Sequence, residues 1–201
     1  GKGMAVFSFH TMLVSLSISD TPLWYDVKKG PAFAFNLWYS ESGINNNPST
    51  YNYSNIGQYW YHNFLTFVMD NPTTPTANVQ MFKSGGGTDT FTAFNAGTGY
   101  FLSEFEGSAK LKKISDSPIE YQLEYKDGSK LVYKVSDNGA TQRKVFLKEI
   151  IDTYGMKLTI NYDSYNRITN IVDAVNYVTT FAYVSNSVGT PDYYRIQTVT
   201  E

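Results

Sequence analysis

Two histidines, His10 and His62, are the residues best suited to acid–base chemistry in this chain, which contains no cysteine. A serine nucleophile needs a histidine within its reach and a third group that orients that histidine. His10 lies on the apolar face of a predicted strand and His62 lies in the aromatic segment 59–64, so packing explains both histidines better than catalysis. The sequence also lacks a Gly-x-Ser-x-Gly motif. We therefore predict no catalytic residue and no enzymatic activity.

Residue types also argue against a metal site. Two histidines without cysteine supply too few nitrogen and sulfur ligands for zinc. The oxygen ligands that calcium could use stand where turns are expected, and no EF-hand pattern is present. These residues are Asp137, Asn138, Asp163 and Asn166. We predict neither a metal nor a cofactor, and we expect Asp152, Asp163 and Asp173 to fix turns by accepting backbone N–H groups.

A glycine-rich segment, residues 84–88, invites comparison with a phosphate-binding loop. It lacks the Gly-Lys-Thr ending and leads into Thr90-Phe91-Thr92, which favours a strand. Phosphate loops instead open a helix, whose N-terminal N–H groups hold the anion. We interpret the segment as a hairpin turn.

Acidic residues on predicted strands leave one enzymatic alternative open. A glycosidase needs two carboxylates that face each other across a groove, roughly 5–10 Å apart. The candidates are Glu104, Glu106, Glu120 and Glu124. Nothing in the sequence singles out any pair of them.

Three tryptophans, Trp24, Trp38 and Trp60, each stand beside a tyrosine. If exposed, they could form a sugar-stacking platform, which makes a carbohydrate-binding or adhesive module the alternative function. The simpler interpretation is that these rings fill the core of a leucine-poor sheet protein.

Length and charge narrow the possible partners. The chain has 201 residues, a formal net charge of −2 and a pI near 5.7. A nucleic-acid-binding protein usually carries a basic patch, so we predict no nucleic-acid partner. No stretch of about 18 apolar residues occurs, and we predict no membrane span.

The spacing of apolar residues predicts an all-β fold. Tyrosine and phenylalanine, which favour strands, occur 17 and 13 times. Apolar and polar residues alternate in several runs, which indicates strands with one buried face. The clearest runs are residues 4–18, 119–125 and 157–162. We predict an antiparallel protein of about a dozen short strands, with hairpins in a curled or open sheet and almost no helix.

Turn signals divide these runs. Asp127-Gly128 predicts a hairpin, after which Leu131, Tyr133 and Val135 are expected on one face of the next strand. Residues 145–154 are the best helix candidate, but their isoleucines and threonine favour a strand. Loops are predicted at residues 40–58, 70–78 and 185–192.

An internal repeat appears after residue 145. Residues 150–162 align with 171–183 at an offset of 21, each unit having two apolar residues, an Asp, a turn, a strand and a closing Tyr. Residues 167–173 align with 195–201 at an offset of 28, so the loop at 185–192 contains an insertion of seven residues. The third unit is cut in its turn, and we expect the chain to be a fragment of a longer protein.

The repeat resembles the YD repeat of RHS-repeat proteins, which reads roughly Tyr-Asp, a short linker, Gly-Arg-Leu, an apolar pair and Asp. Asn166 stands where the family usually has Gly, and Asn tolerates the same left-handed backbone. The residues that match the motif are Asp152, Gly155, Tyr162, Asp163, Asn166, Arg167, Asp173 and Tyr183. Upstream, residues 57–64 resemble the family's Gly-x-x-Trp-x-x-Asn block, and residues 121–133 resemble the strand pair before the first repeat.

This resemblance implies a structural role. In the family, long YD arrays coil into a hollow β-shell that encloses a C-terminal toxin or other cargo, or serve as cell-surface scaffolds. It implies as partners the rest of a parent chain and its cargo, and a secreted or cell-surface bacterial location. We divide the chain into an N-terminal β-rich region, 1–116, and a region of hairpins and repeats, 117–201, within one continuous unit.

Overall fold

A computed structural model describes residues 4–10, 15–40, 53–57, 59–103 and 109–201. These residues form sixteen β-strands and one 3-10 turn, Pro191–Tyr194, with no α-helix among them. The strands are β1 (Val6–His10), β2 (Ser15–Tyr25), β3 (Phe33–Ser40), β4 (Trp60–His62), β5 (Phe67–Asp70), β6 (Val79–Phe82), β7 (Thr88–Thr92), β8 (Leu102–Ser103), β9 (Ala109–Asp116), β10 (Ile119–Tyr125), β11 (Lys130–Ser136), β12 (Arg143–Ile151), β13 (Lys157–Tyr162), β14 (Ile168–Val172), β15 (Val178–Tyr183) and β16 (Ile196–Thr200). The predicted all-β antiparallel class is confirmed.

The smaller sheet has four antiparallel strands in the order β1-β2-β3-β4. Residues 4–18, predicted as a single alternating run, contribute to both β1 and β2, which fold back so that Phe7 faces Ile18. The prediction of one run was wrong because period-two alternation is the same in one long strand and in two paired strands.

The larger sheet has twelve strands, and β12 is its branch point. One side of β12 pairs with β11, which continues to β10 and β9. On the other side, the first half of β12 pairs with β5 and the second half pairs with β13. From β5 the sheet continues through β6 and β7 to β8, and from β13 it continues to β16. The repeats therefore extend a sheet that the upstream strands begin.

A bulge changes one predicted face. Leu131 and Tyr133 contact the main core, but Val135 packs with Phe67 and Phe146 in a second, smaller cluster. The pairing of β11 with β12 shifts between Tyr133 and Val135. An extra residue in one strand turns the following side chains to the opposite face, so the prediction for Val135 was wrong.

One hydrophobic core joins the two sheets and both predicted regions. Phe33 and Phe35 on β3 are 1% and 3% exposed and pack with Phe64 and with Phe181 of the second repeat. The Phe35 and Phe181 rings meet edge to face, with centroids 5.6 Å apart. Burying each of these phenylalanines contributes about 2–3 kcal/mol. No helix long and apolar enough to cross a membrane occurs in the described residues.

Candidate functional site

Three aspartates hold the turns of the repeat in the same way. The Asp152 Oδ1 atom accepts the backbone N–H groups of Tyr154 and Met156, each at 2.9 Å. Asp163 and Asp173 accept the corresponding pairs at 2.8–3.0 Å. In every turn the aspartate N–H also donates to the carbonyl four residues later. The carboxylates fix the turn backbone, as the turn interpretation predicted.

The fourth residue of each turn has a left-handed backbone. Its φ angle is +81° at Gly155, +63° at Asn166 and +67° at Asn176. Each of these residues donates its N–H to the carbonyl of the turn's aspartate at 3.1 Å. Other side chains pay a steric penalty at such angles, which explains why the sequence has only Gly or Asn there.

The closing tyrosines of the two units make the same long-range hydrogen bond. Tyr162 Oη donates to the Leu147 carbonyl at 2.6 Å, and Tyr183 Oη donates to the Ile168 carbonyl at 2.8 Å. Each bond joins residues that are 15 apart in the sequence. The donor and the acceptor of the second bond each lie 21 residues after those of the first. Burial raises the pKa of both phenols well above the usual value, so they remain protonated donors. The sequence repeat is therefore also a repeat of contacts.

The pairing of residues between neighbouring strands repeats at the same sequence offsets, 21 and then 28. Ile150 faces Leu158 in the first hairpin, and Ile171 faces Thr179 in the second, again 21 residues later. Tyr162, at the end of β13, pairs with Ile168, and Tyr183, at the end of β15, pairs with Ile196. A bulge precedes both pairs. The Ser185–Asp192 insertion thus lengthens one loop without changing the register on either side of it.

Arg167 connects its own turn, which begins at Asp163, with the closing tyrosine Tyr183 and with the segment that contains Ser185 and Tyr193. Its guanidinium lies over the rings of Tyr193 and Tyr183, at 3.9 and 4.7 Å from their centroids. Its Nε donates to Asp163 Oδ2 at 2.7 Å, and Nη1 donates to the carbonyls of Ser185 and Tyr193 at 3.3 and 3.2 Å. The side chain is only 14% exposed. A planar guanidinium can satisfy all these contacts at once, which a lysine ammonium cannot.

The equivalent arginine one unit later, Arg195, has a different environment. Its side chain is 47% exposed and bonds Asp192 at 3.3 Å. Val184 N–H donates to the Arg195 carbonyl at 2.9 Å, as Asp163 N–H does to the Arg167 carbonyl. The backbone roles of the two arginines therefore match, whereas their side-chain contacts do not.

Residues 53–57 connect the small sheet to the repeats, a link that the sequence did not predict. Ser54 Oγ accepts the Ile168 N–H at 2.7 Å and donates to Tyr183 Oη at 2.5 Å. Because Tyr183 Oη donates in turn to the Ile168 carbonyl, the three residues form a closed ring of hydrogen bonds. Asn55 extends the link by accepting the Ile196 N–H at 2.6 Å. Ser54 and Asn55 are 1% and 3% exposed.

His62 lies beneath this link and is completely buried. Its Nε2 donates to the Ser54 carbonyl at 2.6 Å, which leaves Nδ1 as a bare acceptor. Nδ1 has no hydrogen-bond partner among the described residues. Burial lowers the pKa of His62 to about 4. The Ser54 hydroxyl is engaged by Tyr183 and Ile168, so the arrangement is not that of a serine nucleophile and its base.

A second buried polar group joins β5, β10 and β12. Arg143 donates to both Asp70 oxygens, at 2.9 and 2.6 Å, and Tyr121 Oη donates to Oδ2 at 2.7 Å. Burial and this carboxylate raise the pKa of the Tyr121 phenol, and the carboxylate raises that of Arg143. Both carboxylate oxygens of Asp70 therefore accept hydrogen bonds, and these charge-assisted bonds connect β5 with β10 and β12.

The glycine-rich segment forms the β6–β7 hairpin, which confirms the turn interpretation. Lys83 N–H donates to the Gly87 carbonyl at 3.0 Å, and Gly86 N–H donates to the Lys83 carbonyl at 3.0 Å. A Cβ at Gly85 would lie 3.7 Å from the Trp38 ring, and one at Gly86 would lie 3.2 Å from the Tyr61 ring. The hairpin backbone therefore packs on the outer face of the small sheet.

The three tryptophans do not form one platform. Trp38 faces Tyr61 across β3 and β4, whereas Trp60 faces Tyr39 in the adjacent pair and points to the opposite side of the sheet. Trp24 lies opposite Ala34, roughly 13 Å along β3 from Trp38 and on its face of the sheet. Trp24 is 37% exposed.

The remaining candidates for catalysis are His10 and the four glutamates considered for a glycosidase. The side chains of His10, Glu104 and Glu106 lie outside the described residues. Glu120 accepts from Gln122 at 2.9 Å, and Glu124 accepts from Tyr100 at 2.7 Å. These two glutamates stand four residues apart on one strand, roughly 13 Å between Cα atoms.

The remaining calcium candidates form a turn. Asp137 Oδ1 accepts the backbone N–H groups of Gly139 and Lys144, at 3.0 and 2.9 Å, and Asn138 has a φ of +59°. Over the described part of the chain, no three His, Asp or Glu side chains are grouped so that they could hold a metal ion.

A scan against protein-family models found no match, and a search of curated proteins found none either.

Proposed function

We propose that the chain is a non-enzymatic scaffold segment of an RHS/YD-type protein. The observation that supports this most strongly is the recurrence of one hydrogen bond, Tyr162 to Leu147 and Tyr183 to Ile168, at the sequence offset of 21. Each hairpin buries one face, and a hairpin alone buries too little apolar surface to be stable. A protein that repeats both the hairpin and its anchoring contact is built to extend a sheet.

The geometry of β16 is consistent with such an extension. Among the described strands, β16 pairs with β15, and Asn55 pairs with Arg195 and accepts the N–H of Ile196, the first residue of β16. Gln197, Thr198 and Thr200 are exposed. An edge strand of this kind offers unpaired N–H and C=O groups to a further strand.

In this proposal the segment contributes to the wall of a β-shell that encloses a C-terminal toxin or other cargo, or to a cell-surface scaffold. The location is accordingly secreted or at the cell surface of a bacterium. Arg167 and the Ser54 ring would stiffen the wall, because each joins parts of the chain that are distant in sequence.

Electron microscopy of the natural gene product tests the proposal. We expect a β-walled particle in which the β16 edge is paired with another strand of the same polypeptide. A natural product in which β16 borders only solvent, without further hairpins, would contradict the scaffold role. Cell fractionation of the host tests the proposed location separately.

A carbohydrate-binding role remains the second candidate, because Trp24 exposes 37% of its surface on the outer face of the small sheet. Stacking of a sugar on an exposed indole would contribute most of the affinity. A glycan array with Trp24→Ala tests it, with Tyr154→Ala as the matched loss of an exposed ring. Binding that survives Trp24→Ala would count against this candidate.

A further inference from the structure

A polar groove of about 370 Å³ lies on the outer face of the large sheet. Its floor is a row of cross-strand neighbours, Met69 on β5, Gln80 on β6 and Thr90 on β7. The adjacent residues Val79 and Phe91 point to the core and are 2% and 3% exposed. Because side chains alternate along a strand, the row faces away from the core.

Two loops form the walls. Asn78 closes the loop between β5 and β6, and Thr141 and Gln142 belong to the loop before β12. The hydrogen bonds in the described part of the chain include none from the side chains of five lining residues. These are Asn78, Gln80, Thr90, Thr141 and Gln142. A carboxamide offers two N–H donors and an acceptor oxygen, and a hydroxyl can both donate and accept. The groove therefore presents hydrogen-bond donors and acceptors side by side.

The groove carries no free charge among its lining residues. Asp70 is the only charged residue there, and Arg143 and Tyr121 already occupy its carboxylate oxygens at 2.6–2.9 Å. An ionic ligand would find no counter-charge at these side chains. A ligand that fits must be neutral and rich in groups that both donate and accept.

We propose that this groove binds a neutral saccharide of one or two rings. Sugar hydroxyls donate and accept at once, which matches three carboxamides and two hydroxyls around one cavity. The volume lies at the lower end of the range of about 300–1,000 Å³ typical of ligand sites, which suits a small ligand. Met69 supplies an apolar surface for a ring face. Trp24 does not line the groove. Saccharide binding in the groove does not depend on the proposed scaffold role.

A glycan array of neutral and sulfated sugars, probed with the 201-residue chain at low and high salt, tests the proposal. We expect binding to neutral glycans that salt leaves unchanged. Gln80→Ala and Gln142→Ala should each weaken it by about tenfold, since each removes hydrogen bonds. Gln197→Ala, at an exposed position on β16, should leave binding unchanged. Thr141→Val, in an exposed loop, is a second groove variant that should also weaken binding if a strand variant does not fold.

Several outcomes would overturn the proposal. These are no binding to any neutral glycan, binding only to sulfated glycans, and binding that only Trp24→Ala abolishes. Competition by a peptide but not by free sugar would show that the groove recognises a peptide instead.

Discussion

Tyr183 donates its hydroxyl to the Ile168 carbonyl, and Ser54 bonds both of these residues. In the preceding unit Tyr162 makes the same bond to Leu147. The second unit thus has the contact of the first and one additional anchor from the N-terminal region. This difference makes the contributions of the two units experimentally separable.

Removing the two closing hydroxyls should destabilise the protein by different amounts. Tyr162→Phe breaks one hydrogen bond and should lower the free energy of unfolding by about 1 kcal/mol. Tyr183→Phe also removes the acceptor of the Ser54 hydroxyl, which keeps only the Ile168 N–H as a partner, and should cost about 2 kcal/mol. Urea unfolding measures both, and Tyr154→Phe, at a ring that is 90% exposed, is the control. Equal losses for Tyr162 and Tyr183 would show that the Ser54 ring adds nothing.

Substitutions at the left-handed turn position should depend on backbone freedom. Asn166 has a φ of +63°, so Asn166→Ala should lower the free energy of unfolding by about 1–2 kcal/mol, and Asn166→Gly should change it little. Thermal unfolding of the two variants provides the comparison. Asn176, at +67°, should respond in the same way. If Gly proved as harmful as Ala, the asparagine side chain rather than the φ angle would be the important feature.

Arg167 and Arg195 form a matched pair in the repeat. Arg167→Lys should lower the free energy of unfolding by about 2–3 kcal/mol, because it removes two ring contacts and hydrogen bonds to Asp163 and two carbonyls. Arg195→Lys should change it by less than about 0.5 kcal/mol, since this side chain is half exposed. Chemical denaturation of both variants measures the two changes in unfolding free energy. Comparable effects would contradict the bridging role of Arg167.

Buried His62 should make the protein sensitive to acid. The unfolded histidine binds a proton below about pH 6.5, whereas the folded one binds it only near a pKa of about 4. Between these values the unfolded state binds more protons, so stability falls as the pH falls. The loss should reach about 3 kcal/mol by pH 4.

Comparison with His62→Gln isolates this contribution. Glutamine can still donate to the Ser54 carbonyl but does not titrate. The difference in unfolding free energy between the wild type and His62→Gln should change with pH from 6.5 to 4. A constant difference over this range would mean that His62 is protonated equally in both states.

Local features of the fold were predictable from the sequence. The Asp turns, the Gly or Asn at the left-handed position and strand β10 depend on neighbours within a few residues, and period and turn chemistry report such neighbours directly. The offset of 21 was visible as well, because a repeated contact requires a repeated residue type.

Long-range features were not predictable. Ser54 lies 114 residues from Ile168 and 129 from Tyr183, and Asp70 lies 73 from Arg143. No local pattern marks such partners, although a serine in an aromatic segment and a single aspartate at a strand end are weak signals. Val135 was misplaced because a bulge leaves no trace in the alternation that precedes it. The groove near Gln80 was not predictable because its residues come from four separate segments, 69–71, 78–80, 90 and 141–142.

The residues that follow Glu201 in the natural reading frame test the central claim most directly. At the offset of 28, Glu201 stands at the position of Asp173, and in both complete units the closing tyrosine comes ten residues after the aspartate. Sequencing should show Gly or Asn three residues after Glu201 and a Tyr ten residues after it, followed by further units. A stop codon there, or a continuation without this turn and tyrosine, would contradict a repeat array that builds an extended β-wall.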